Sequence, residues 1–174
     1  MNLSFQIQVA GWDEFFDHWS SRYYYDSDDL YVKNIGKPLT DASVLELFTW
    51  KNGGKLSAKK ADSVRKNYPA SFSGDVKKRY LDHRQSGGAI WNIFYLHCLN
   101  SSAWPIFDQH TYRAMKYLQT GTILEIDTTN KKKYQSYEKE YLPFLQSLNQ
   151  SDMRKTDKAL FAFGQFLKLA KKYV

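Results

Sequence analysis

Ala89-Ile90-Trp91-Asn92-Ile93-Phe94-Tyr95-Leu96-His97-Cys98-Leu99 is the stretch that sets the fold. A helix that is hydrophobic on nearly every side has no face for water, so it belongs at the centre of a packed domain. At 1.5 Å per residue it runs about 16 Å, enough to cross a small domain. Asn92 and His97 interrupt it, and it is far too short to span a bilayer. Helical patterns dominate around this segment, so an all-α domain of about seven or eight helices is expected, with a short extended segment at the N-terminus.

Upstream, a helix is expected from about Asp75 to His83, leading into Arg84-Gln85-Ser86-Gly87-Gly88 and so into the buried helix. Downstream, Asn100-Ser101-Ser102 ends the apolar run. Pro105-Ile106-Phe107-Asp108-Gln109-His110-Thr111-Tyr112-Arg113 follows. Asp108 stands where a helix from Gln109 to Leu118 begins. A carboxylate there accepts bonds from free backbone N–H groups and meets the positive end of the helix dipole, which favours the anion. Such an Asp either only caps the helix or, held rigid, stabilises positive charge developing on a sugar and activates water. The four histidines, His18, His83, His97 and His110, have no metal-site spacing. His97, inside the apolar helix, reads as a hydrogen-bonded core residue.

Further out, Leu3, Phe5, Ile7 and Val9 alternate as a short strand or extended arm would. Trp12, Phe15, Phe16 and Trp19 fall at helical spacing. Thr40 or Asp41 caps a helix carrying Val44, Leu47 and Phe48, stopped at Gly53-Gly54. Ser57 opens a basic helix from Ala58 to Asn67 with Ala61 and Val64 as its apolar residues. Tyr23-Tyr24-Tyr25 and the acidic Asp26, Asp28 and Asp29 read as a recognition loop, with no mechanism assigned to it. Gly121 to Asp127 reads as a brief extended link. A helix from Lys132 to Leu148 is expected to kink at Pro143. The last runs from Lys155 to Tyr173, with Ala159, Phe163, Phe166 and Ala170 on one face.

The 174 residues fit a single helical domain spanning 1–174. With 17% aromatic residues the chain can bury a substantial core. One cysteine, Cys98, excludes an internal disulfide and any multi-thiolate metal or iron–sulfur site. Met1-Asn2-Leu3-Ser4-Phe5 lacks a basic lead before an apolar stretch, so a cytoplasmic, soluble protein is expected. Residues 1–74 carry nine Lys and Arg against nine Asp and Glu, while residues 75–174 carry sixteen against nine. A net charge of +7 placed this way suits a polyanionic partner.

A helix, a Gly-containing turn, a buried helix and then Asp108 with His110 and Arg113 after it resembles the helix-hairpin-helix DNA glycosylases. The Asp108-Gln109-His110-Thr111-Tyr112-Arg113 stretch looks like the Asp-x-His-x-x-Arg segment of their endonuclease III branch. The stretch Asp157-Lys158-Ala159-Leu160-Phe161-Ala162-Phe163-Gly164 is similar to a small bacterial group related to the 8-oxoguanine glycosylases. The resemblance covers residues 75–120 best, with the hairpin core there. It implies an all-α fold with the lesion pocket between two helical lobes, and double-stranded DNA with a damaged or modified base as the partner of a monomer. Asp108 would then cleave the N-glycosidic bond. Ser86, Gly87, Gly88, His110 and Arg113 would contact DNA, and Trp91, Trp104 and Tyr112 would line the base pocket. No cofactor is expected, apart from a monovalent cation that the resemblance allows at the hairpin. The family's hairpin reads Leu-Pro-Gly-x-Gly where this chain has Arg84 to Gly88. Its strand-cleaving members place a Lys where this chain has Ile90, so base removal without lyase chemistry is expected. Two alternatives stand beside this reading: a non-catalytic DNA-binding domain, and an all-α protein-interaction module in which Asp108 is only a cap.

Overall fold

The computed structural model describes residues 8, 10–81 and 87–173. In chain order these form α1 (Trp12–Ser20), α2 (Asp28–Asn34), α3 (Asp41–Lys51), α4 (Ala58–Asn67), α5 (Val76–Leu81), α6 (Gly88–Leu99), α7 (Gln109–Thr120) and α8 (Asn130–Ser136). A π-helical turn (Tyr137–Tyr141), α9 (Leu142–Ser147) and α10 (Met153–Ala170) complete the order. Among the described residues the protein is all-helical, with no strand. Most of the stretch read as alternating (residues 3–7 and 9) lies outside the described residues, as do Asp82 to Ser86.

The chain divides into two compact units. One joins Met1–Tyr24 to Phe107–Val174, and the other is the continuous stretch Tyr25–Ile106.

In the discontinuous unit, α10 packs against both α1 and α7. Phe163 of α10 meets Phe15 and Trp19 of α1 at ring distances of 5.2 and 4.9 Å. Phe107, just before α7, packs on Tyr137 and Tyr141, both buried. Upstream of Pro143, where a kink is expected, lies a π turn that ends at Tyr141. Proline lacks an N–H and its ring crowds the carbonyl four residues back, so a widened turn upstream relieves that strain. α10 buries Thr156, Ala159, Leu160, Phe163 and Leu167, while Phe166, expected on one face with Ala159 and Phe163, is 38% exposed.

In the continuous unit α3 contacts α2, α4 and α6. Thr40 caps α3, its hydroxyl accepting from the Ser43 N–H while Ser43 Oγ accepts from the Thr40 N–H. Ser57 caps α4. Leu47, Phe48, Val64, Ile93 and Phe94 are fully enclosed. α6 is buried from Asn92 to Cys98, as its composition demands. His97 is satisfied at both nitrogens. Its Nδ1 lies 2.7 Å from the Trp104 carbonyl, which can only accept, so Nδ1 carries the proton and Nε2 accepts from the Tyr31 hydroxyl at 2.8 Å. The acidic stretch read as a loop contains α2. Its Ser27 N-cap sits in the left-handed region at φ 60° and makes no side-chain capping bond.

Candidate functional site around Asp108

Asp108 is the N-cap of α7. Its Oδ1 accepts from the N–H groups of His110 at 2.8 Å and Thr111 at 3.1 Å. Thr111 returns the bond, its Oγ1 accepting from the Asp108 N–H at 3.0 Å. This reciprocal box fixes the carboxylate's direction on a residue that is partly exposed.

α7 and α10 build the surroundings. Gly164 lies so close to α7 that a Cβ there would come 2.0 Å from the His110 carbonyl oxygen. The Gly164 carbonyl accepts from Arg113 Nη1 at 2.8 Å. Arg113 is 1% exposed, and its Nε and Nη2 donate to the two oxygens of Glu125 at 3.3 and 2.7 Å. The expected contact of Arg113 with DNA is therefore corrected: the guanidinium is enclosed and ties α7 to α10 and to the segment before α8. That hydrogen bonding holds Glu125 below the usual glutamate range, against a smaller opposing effect of burial.

His110 is half-buried, and its ring meets Phe161 of α10 at 4.9 Å. Burial lowers its pKa most strongly, Asp108 opposes this, and Arg113 adds to the lowering. Phe161 in turn packs on Tyr23, whose ring lies beneath the cations of Arg154 at 5.3 Å and Lys158 at 4.9 Å. Asp157 pairs with Arg154 at 2.8 Å. Tyr141 is enclosed, and its phenol is pushed well up by burial, with Asp157 adding to the rise, a Thr111 hydrogen bond opposing it and Asp108 contributing further. Asp108 and Asp157 thus both act on one buried tyrosine.

The residues expected at the site divide between the units. Asp108, His110, Tyr112 and Arg113 belong to the discontinuous one; Gly87, Gly88, Trp91 and Trp104 belong to the continuous one. Ser86 lies outside the described residues. Tyr112 is 8% exposed, packed edge-on to Phe107 and beneath Lys116, so it is a core residue and not a pocket wall. Gly87 and Gly88 both have positive φ, 93° and 79°. A Cβ on Gly87 would come within 1.8 Å of the Tyr68 hydroxyl, so the turn before α6 requires glycine for a reason internal to the fold. Trp91 and Trp104 are each partly exposed. Tyr141 carries no signal in the sequence; Tyr23 stands in the tyrosine run read as a recognition loop, and Asp157 and Phe161 stand in the stretch from Asp157 to Gly164.

Among the described residues no three His, Cys, Asp or Glu side chains converge as metal ligands, and no helix is long and apolar enough to cross a membrane. In comparisons with protein-family models, curated proteins and solved structures, the chain matches none.

Proposed function

We propose that the protein is a monofunctional DNA glycosylase in which Asp108 removes a damaged or modified base turned out of the helix. The supporting observation is the Asp108 carboxylate, aimed by two backbone N–H groups at the start of α7 on a residue that is partly exposed. In the reaction the bond from C1′ to the base nitrogen breaks and the base leaves with the electron pair. The fixed anion stabilises the positive charge on the sugar without having to reorganise. Water then bonds to C1′ and gives its proton to Asp108. The partly exposed His110 ring, backed by the buried Phe161, offers an aromatic surface in the same unit against which an everted base can stack. The resemblance of the Asp108–Arg113 stretch to the helix-hairpin-helix glycosylases points the same way. With Ile90 at the position of the strand-cleaving lysine, no Schiff base forms.

The decisive variant is Asp108→Asn. Asparagine caps a helix about as well as aspartate, so stability should shift by no more than about 0.5 kcal/mol. Base release from a panel of single-lesion duplexes should fall at least about a hundredfold, with DNA affinity kept. Release at the wild-type rate by this variant rules the mechanism out.

A further inference from the structure

We infer that the continuous unit carries a separate docking face for a nucleic-acid backbone, formed by the exposed lysines of α4 and by Trp91. The inference rests on the nucleic-acid partner of the proposed function and not on base excision. Residues 51–79 hold nine Lys and Arg against two Asp, a net of +7, whereas residues 1–50 hold three against eight, a net of −5. Totals over residues 1–74 conceal this contrast because the two runs offset each other. The basic run includes the end of α3, all of α4 and most of α5.

Within it, Arg65 and Asp62 pair at 2.9 Å and cancel. Lys55, Lys59, Lys60 and Lys66 are exposed. Lys60 donates to Asn52 Oδ1 at 2.6 Å, which holds its ammonium 5.9 Å from the centre of the Trp91 ring. Trp91 is in turn braced edge-on against the buried Phe48 at 5.2 Å, leaving part of the indole to solvent. Lys59 and Lys66 are seven residues apart on α4, about 10 Å along its axis, or about three phosphate steps of one strand. A fixed aromatic beside exposed cations suits the edge of a duplex, whose phosphates meet the lysines while a sugar lies against the indole. A lipid surface fits poorly, because the apolar Val64 of α4 is fully buried and the helix has nothing to insert.

The test is fluorescence anisotropy with a labelled 20-base-pair duplex from 50 to 200 mM KCl. It compares wild type with Lys59→Gln/Lys60→Gln/Lys66→Gln and with a control of equal charge change, Lys131→Gln/Lys133→Gln/Lys139→Gln. Loss of three phosphate contacts should flatten the log–log salt slope by about 2.7 and weaken binding at 100 mM KCl at least about tenfold. Each single substitution should flatten the slope by about 0.9. The control slope should change by less than about 1, with melting temperature and circular dichroism unchanged throughout. An unmoved slope in the α4 triple, an equal fall in the control, or binding to anionic phospholipid vesicles but not to the duplex overturns the face. Base release by a wild type whose slope ignores the α4 lysines overturns this face alone. Duplex binding that depends on those lysines, with no base release, supports the face and overturns the excision reading.

Discussion

Arg113 shows how much a single side chain can settle. A charge so fully enclosed is tolerated only when its donors are matched, and Glu125 and the Gly164 carbonyl match them. Arg113→Ala should therefore cost about 3 kcal/mol or more in chemical denaturation, and Arg113→Lys should recover only part of it, because one ammonium cannot copy the planar fork. A loss below about 1 kcal/mol would mean the arginine is dispensable. The ion pair also predicts an acid response. Glu125 is held below its ordinary value of 4.5, so the folded state binds its proton less readily than the unfolded chain does. Its contribution is complete above about pH 4.5 and is lost as the pH falls below that value. The stability gap between wild type and Glu125→Gln should be flat from pH 7 to 5 and close towards pH 3. A gap unchanged at pH 3 would separate Glu125 from that role.

At the scale of the element, the crossing of α7 and α10 is governed by Gly164. Alanine in a helix interior ordinarily stabilises it by about 1 kcal/mol relative to glycine. Here the added methyl meets the His110 backbone, so Gly164→Ala should destabilise by about 1–3 kcal/mol, the opposite sign. A melting temperature that rises would contradict the close approach. The same contrast explains what could be read from the chain. Thr40, Ser57 and Asp108 signalled their helices because capping is local: the side chain bonds the backbone two or three residues on. α2 gave no such signal, since Ser27 caps nothing with its hydroxyl. The fixed carboxylate of Asp108 was legible for the same local reason. The surrounding Tyr141, Phe161 and Tyr23 come from distant parts of the chain, as do the partners that enclose Arg113, and no spacing encodes such meetings.

For the whole molecule, the partition into a continuous and a discontinuous unit makes an asymmetric prediction. Residues 25–106 contain a closed aromatic core around Phe48, Tyr68 and Phe94. Expressed alone, they should keep their helical circular dichroism and unfold in one cooperative urea transition. Residues 107–174 alone should not, because Phe163 would lose the rings of Phe15 and Trp19. A fragment 25–106 that melts without cooperativity would show that the unit is not self-sufficient. One further property follows from the core of that unit. Cys98 is buried on α6, and burial pushes its thiol well above the usual range, so hardly any thiolate forms at neutral pH. The native protein should accordingly ignore maleimide dyes, and a cysteine engineered onto an exposed helix can carry a single fluorophore without first removing the natural one.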